Sequence, residues 1–377
     1  MNGDVADDQQ GFRPPPYPYD RLNRLKPFAD EMRGGLVDLS IGTPFDPPPT
    51  AVVAALNTSG AERSYPPSIG TRAYRESAAR WLQRRFGVDV PADQVAAAVG
   101  TKEFVASVPR YMKLRTPQRD TVLYPSISYP SYAMGATLGG CRAVPVRSRP
   151  DGTLDLDSVS SDDVGRALLL WVNSPGNPTG SLEDLEAVAA WGRRHGIPVF
   201  SDECYIEFTW DGPGRTIVEH GLDGVIAVHS LSKRSNLAGA RAGFYAGDAD
   251  IVQYLQSVRQ HAGMMVPGPV QAAAIVAFDD DDHVDAQRAI YRSRLELMAA
   301  VIGEWSGIEV AMPGGAFYLW IPVDNGWDFA ERLARDGGAL VSPGEFYGPD
   351  GAGFVRVAVV QPDDRIQLVA DRLAAAS

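Results

Sequence analysis

From residue 95 to residue 262, short apolar runs alternate with stretches whose apolar positions recur every three or four residues. The runs at 95–99, 121–124, 142–146, 167–172, 198–201, 225–228 and 242–246 are apolar almost throughout. That is the pattern of strands covered on both faces, since a half-exposed strand would alternate. Between them, Ser181-Leu182-Glu183-Asp184 reads as a helix N-cap with an acidic third position, leading into a helix with Leu182, Leu185, Val188 and Ala189 on one face. Asp248 is placed to cap another helix, carrying Ile251, Leu255 and Val258. Such alternation predicts an α/β fold, a mainly parallel sheet of seven strands between helices. Beyond about residue 270 the pattern changes to a long helical stretch at 284–306, strands at 317–321 and 353–359, and helices at 327–336 and 365–375. These predict a smaller α+β domain. The N-terminal segment, with Tyr17, Tyr19 and several prolines, reads as an extended arm and short helix against that domain or a partner subunit. The expected division is 1–45 as arm and part of the small domain, 46–270 as the large domain, and 271–377 as the rest of the small one.

Composition narrows the classes. The 377 residues are 45% hydrophobic and 22% charged, as in an ordinary globular protein with room for a large central sheet. No apolar run approaches the roughly 18 residues of a membrane span, and the polar, acidic, proline-rich start does not read as a signal peptide. Two cysteines, Cys141 and Cys204, suit a reducing, cytoplasmic setting and no disulfide framework. A net charge of −12 without a basic stripe argues against a nucleic-acid partner. Asp279-Asp280-Asp281-Asp282 reads as a solvated turn or helix start, because the glycine and spaced ligands of a calcium loop are missing. The five histidines show no metal-ligand spacing, so no metal is expected.

The chemistry concentrates after the apolar runs, where ligands of open α/β sheets gather. Ser230-Leu231-Ser232-Lys233 follows the run at 225–228, with Arg241 eight residues beyond the lysine among small residues. This is what a phosphate-bearing aldehyde cofactor would need: a lysine to form the Schiff base, and hydroxyls and an arginine to hold the phosphate. Gly100-Thr101-Lys102 opens a helix whose amides would favour an anion. Ser126 to Tyr132 offers an aromatic for a flat ring, Asn173 to Gly180 is rich in proline and glycine, and Asp202 ends the run at 198–201. Taken singly, each suits ordinary turn, cap or packing chemistry as well.

Together and in this order, Asn-Pro-x-Gly, Asp-x-x-Tyr, Ser-x-Ser-Lys-x7-Arg and the late Arg of Phe-Val-Arg-Val resemble the class I/II aminotransferases of fold type I, from about Leu36 to the C-terminus. The resemblance implies pyridoxal 5′-phosphate as cofactor, bound in the domain at 46–270. It implies Lys233 as the Schiff-base lysine and proton carrier, and Asp202 as partner of the pyridine nitrogen. Asn177 and Tyr205 would bond the phenolic oxygen, and Tyr129 would stack on the ring. Ser230, Ser232, Arg241 and the backbone of Thr101 and Lys102 would hold the phosphate. It further implies Tyr65 as a residue reaching the phosphate of a neighbouring subunit in a homodimer, and Arg356 as the fork for the substrate α-carboxylate. Gly42 would close over the substrate, and Asn173 would lie near the carboxylate. Where many relatives carry Ser or Ala and then Gln, this chain has Thr101-Lys102, which leaves the Lys102 side chain without an inherited role.

Within the family, the segments 37–44, 228–239, 261–271 and 343–348 most resemble actinobacterial succinyldiaminopimelate aminotransferases of the lysine pathway. The implied reaction interconverts N-succinyl-2-amino-6-ketopimelate plus L-glutamate with N-succinyl-diaminopimelate plus 2-oxoglutarate. Both substrates are polyanions, so a second cation beside Arg356 is expected, with Lys102, Arg234 and Arg72 as candidates. Open alternatives are a broad-specificity or aromatic amino-acid aminotransferase, a β-lyase of cysteine conjugates, and a non-catalytic amino-acid sensor.

Overall fold

The computed structural model describes residues 11–376; the polar stretch at 1–10 lies outside them. All seven expected strands form one sheet, ordered Val95–Ala98, Gly243–Gly247, Val225–Ser230, Val199–Asp202, Ala167–Asn173, Thr121–Pro125, Arg142–Val146. Only Gly243–Gly247 runs against the rest, pairing antiparallel with both neighbours. The apolar continuity of the strands has a direct cause. Along Val225–Ser230 the side chains alternate faces, so Val225 and Ala227 enter one core with Trp81 and Phe244. Ile226 and Val228 enter another with Phe104, Trp171 and Tyr245 on the opposite side.

A third core surrounds an antiparallel sheet of Ser342–Pro343, Phe354–Ala358 and Tyr318–Pro322, with the helices Asp282–Ser306, Gly326–Asp336 and Asp363–Ala376. Leu22, Leu25 and Ala29 of the N-terminal segment pack into this core, and Val37–Asp38 pairs in parallel with Ala339–Leu340. The helix Gly268–Asp279 instead sends Val270, Ala273, Ala274 and Phe278 into the core of the large sheet.

Two local readings change. The helix expected from Ser181 begins at Leu185, capped by Asp184, whose side chain accepts from the Ala187 N–H at 2.9 Å. Ser181 is engaged elsewhere, with Thr179 Oγ1 and the Gly152 carbonyl, and Glu183 accepts from the Leu154 N–H. A tertiary partner thus outbids the local cap. The aspartate run does start a helix at Asp282, but it is not simply solvated. Asp279 pairs with Arg80 at 3.0 Å, and Asp281 pairs with Arg84 at 2.6 Å and Arg234 at 3.0 Å.

Arg234 stands next to Lys233 and is only 3% exposed. Its guanidinium meets Glu207, equally buried, at 3.2 Å, and Glu207 also takes the Trp81 indole N–H and Arg85. This buried cluster ties the lysine turn to the helix Arg72–Phe86 and to the start of the long helix. Removing one partner strands the others without solvent, a loss of about 3 kcal/mol or more. Glu207→Ala is therefore expected to lower the urea midpoint by a corresponding amount, with Glu207→Gln, which keeps an acceptor for Trp81, losing less.

Candidate active site

Parallel strands ending at a common edge bring distant residues together. Asn173 and Asp202 are register partners, Asp202 faces Val228 on the next strand, and Ser230 closes that strand two residues later. A cavity of about 390 Å³ opens at this edge, between the large sheet and Arg356 of the small one. Every residue expected at the site lines it, except Tyr65. Tyr65 is 94% exposed on the surface.

Lys233 sits on the single turn Leu231–Arg234, which Ser230 caps by accepting the Ser232 N–H at 3.1 Å. Its amine donates to the Gly42 carbonyl and lies 5.8 Å from the centre of the Phe317 ring. Burial, aided by Arg356 and Arg241 and opposed by Cys204 and Asp202, brings its pKa down to about 8. Asp202 is buried at the end of its strand, and burial raises its pKa. Two donors support its charged form, the Tyr132 hydroxyl at 3.0 Å on Oδ2 and the Cys204 N–H at 3.3 Å on Oδ1.

An anion cradle lies beside the lysine. The helix Thr101–Arg115 points its N-terminus at the cavity from Gly100, whose φ is 75°. A Cβ at Gly100 would come within 2.2 Å of the Arg241 guanidinium, so glycine is what lets that cation reach the helix end. Arg241 is itself left-handed, with φ 58°, and its Nη1 donates to the Ala238 carbonyl at 2.8 Å and lies 3.5 Å from Ser232 Oγ. Helix amides, guanidinium and the Ser230 and Ser232 hydroxyls converge as a phosphate requires. With the lysine, the buried carboxylate and the Tyr129 ring, these residues fit pyridoxal 5′-phosphate.

Across the cavity, Arg356 is 1% exposed between the rings of Tyr318, at 4.2 Å, and Tyr347, at 4.9 Å. Its Nη1 donates to Asn177 Oδ1 at 2.8 Å, and Nη2 to the Ser40 carbonyl. Its Nε is buried without a partner among the described residues. Asn173 has its amide engaged on backbone, donating to the Asp202 carbonyl and accepting from the Asn177 N–H, both at 2.8 Å. It therefore holds the Asn177 loop against the Asp202 strand. Gly42 is constrained by space, since a Cβ there would lie 2.1 Å from the Tyr318 hydroxyl.

Of the three candidate cations for a second carboxylate, only Lys102 lines the cavity. Arg234 is taken up by Glu207 and Asp281, and Arg72 pairs with Glu76 at 2.6 Å on the surface. Sequence reasoning missed Tyr132 and Tyr318 as site residues and gave Tyr17 and Tyr19 no place in the site. Tyr132 follows Tyr129 by three residues, a spacing that could have suggested a shared face. Nothing in the alternation of 318–322 singles out Tyr318. Tyr17 meets the Tyr129 hydroxyl at 3.1 Å and Lys102 Nζ at 3.4 Å, and Tyr19 meets the Tyr347 hydroxyl at 2.9 Å, so the arm forms one wall. Among the described residues no group of three or more candidate metal ligands occurs, and no helix is long and apolar enough to cross a membrane.

The family model for aminotransferase class I and II matches residues 35–373. The 4-dedimethylamino-4-oxo-anhydrotetracycline transaminase OxyQ of Streptomyces rimosus is 41% identical over 95% of this chain and 99% of its own length. The LL-diaminopimelate aminotransferase of Aquifex aeolicus is 32% identical over 95% of this chain and 96% of its own. Among solved structures, the Thermus thermophilus protein described as a probable N-succinyldiaminopimelate aminotransferase superposes with a TM-score of 0.85 at 30% identity, covering 95% of this chain and all of the other. Sheet order, motifs and relatives agree on a fold type I architecture, and the chain belongs to the class I and II aminotransferases, enzymes that depend on pyridoxal 5′-phosphate.

Proposed function

We propose that this aminotransferase moves an amino group between L-glutamate and a long, polyanionic 2-oxo acid of the N-succinyl-2-amino-6-ketopimelate type. The observation that carries this reading is that, beside Lys233 and Arg241, which are assigned to the cofactor, two further cations line the cavity, Arg356 and Lys102, the Lys102 amine lying over the Tyr17 and Tyr129 rings. Both substrates carry an α-carboxylate and at least one distal carboxylate, which need two such partners. Similarity to the LL-diaminopimelate and N-succinyldiaminopimelate aminotransferases supports the same class.

When bound, pyridoxal 5′-phosphate supplies an aldehyde carbon for the amino group and a ring that accepts the electrons left on the substrate Cα. The chain does the rest. Lys233 Nζ, kept partly neutral by burial, takes the proton from Cα and holds it for return. Asp202, steadied by Tyr132 and the Cys204 N–H, presents a negative charge to the ring nitrogen. Tyr205 donates to the phenolic oxygen, as does Asn177 through its Nδ2, because its Oδ1 is committed to Arg356. Arg356 forks the α-carboxylate, a geometry lysine cannot copy, and Tyr129 covers the ring. Gly42 lets the loop at 40–44 approach the substrate. Thr101, Ser230, Ser232 and Arg241 hold the phosphate. The exposure of Tyr65 supports its reaching a second subunit, so the working form is a homodimer with shared sites.

A second reading has its own support. Tyr17, Tyr19 and Tyr129 give the cavity an aromatic wall, which suits an aromatic or ring ketone, and the 41% identical relative is a transaminase of an oxo-anhydrotetracycline. Assay of glutamate-dependent amination across 2-oxoglutarate, succinylated, aromatic and small substrates separates the two. Failure on succinylated substrates beside good rates on aromatic ones overturns the first.

Three outcomes are expected. Lys233→Ala loses transamination by about a thousandfold or more and loses the absorbance of lysine-linked cofactor; full turnover in that variant would exclude the mechanism. Uptake of pyridoxal phosphate by the cofactor-free protein, followed by absorbance, accelerates as pH rises through about 8 and slows below it, because only the neutral amine attacks the aldehyde. Lys102→Met raises KM for 2-oxoglutarate about 10- to 100-fold, the worth of a charge-assisted bond, while leaving KM for monocarboxylic 2-oxo acids within a few-fold.

A further inference from the structure

Tyr318 is buried at the centre of the cavity wall, yet no motif includes it. Its hydroxyl lies 2.8 Å from that of Tyr205, and the two rings meet edge to face at 5.5 Å and 71°. Its ring also lies under the Arg356 guanidinium at 4.2 Å. One side chain therefore touches both the phenol beside the cofactor and the cation that takes the carboxylate.

The proton count gives the contact a direction. Each hydroxyl owns one proton, and burial raises both above their ordinary ionisation range, so the pair holds two. One lies between the oxygens; the other is free for the cavity. If Tyr205 donated to Tyr318, it would have none to offer. If Tyr318 donates, the Tyr205 proton stays available, and accepting a bond makes Tyr205 a stronger donor. The Tyr318 hydroxyl occupies the room left by the missing side chain of Gly42, whose carbonyl accepts from Lys233, so the pair sits against the lysine.

We propose that Tyr318 is a positioning residue for the amino-transfer site, donating to Tyr205 so that the Tyr205 proton serves the cofactor's phenolic oxygen, while its ring backs Arg356. The inference rests on the roles proposed above for Tyr205 and Arg356, and deepens them. A donor at the phenolic oxygen stabilises its anionic form and weakens the hold on the proton at the neighbouring Lys233-linked nitrogen. Weakening that donor must therefore raise the pH at which this proton leaves.

The test is a pH titration of bound-cofactor absorbance in wild type, Tyr318→Phe, Tyr205→Phe and the double variant, with circular dichroism to verify folding. Tyr318→Phe is expected to move the midpoint upward by about half a pH unit or more, the size of one neutral hydrogen bond. The double variant should titrate where Tyr205→Phe alone does, because the effect passes through Tyr205. KM for carboxylate substrates should hold in Tyr318→Phe, which keeps the ring, and rise several-fold in Tyr318→Leu, which loses it. An unshifted midpoint in Tyr318→Phe, or shifts that add in the double variant, overturns the inference and leaves the proposed function standing. A wild type that binds cofactor without a titrating band overturns the proposed roles themselves.

Discussion

A buried primary amine resists carrying its charge, and the arrangement of this molecule follows from that resistance. Lys233 lies at the cavity floor between the end of its strand, the Phe317 ring and the Gly42 carbonyl, and burial is the largest influence on its pKa. Arg356 and Arg241 push in the same direction, while Asp202 pulls back. An amine in this balance is a nucleophile near neutral pH and a proton carrier afterwards. The proposed amino transfer needs both behaviours from one atom.

Holding that atom in place requires rigidity beneath it. The turn bearing Lys233 has four residues, too few to be stable alone. Its firmness comes from Arg234 in the Glu207–Asp281 cluster and from the Ser230 cap. The same Glu207 lies two residues beyond Tyr205, so the ionic cluster anchors both the amine and the phenol. Arg294, paired with Asp46 and Asp363, makes an analogous join between the long helix, the segment after the N-terminal arm and the last helix. Ion pairs of this burial add little net stability over apolar packing, but they penalise misplacement heavily.

The far wall is built differently. Around Arg356 the neighbours are aromatic, and the arm adds Tyr17 and Tyr19. Flat rings exclude water from the guanidinium faces, while its edge is held by the Asn177 amide oxygen and the Ser40 carbonyl. The Lys102 amine lies over two of these rings, Tyr17 and Tyr129, instead of beside a carboxylate. That arrangement leaves its charge available, which suits a second anionic group on the substrate.

Much of this was legible in the chain. Strands buried on both faces must be apolar throughout, and with the half-exposed edge strand Arg142–Val146 all seven could be found from the apolar runs, within one to two residues at most ends. A parallel sheet presents its carboxyl ends together, which directs attention to the segments after the strands, and the resemblance to the aminotransferase family picked Lys233, Asp202, Asn177 and Arg241 from the segments around them. Side chains that act through other side chains were not legible. Tyr318, Tyr132 and the Arg234–Glu207 pair gain their meaning from partners 27 to 113 residues away. Nor did local pattern settle the helix after Ser181, where distant acceptors and donors claimed the capping residues. The linear sequence by itself determined the sheet and the order of the motifs, since these follow from burial and spacing along one strand at a time. Only the tertiary structure decided which cation faces the cavity, which tyrosine backs Arg356 and which arm closes the wall, since those depend on distances between segments the chain keeps far apart.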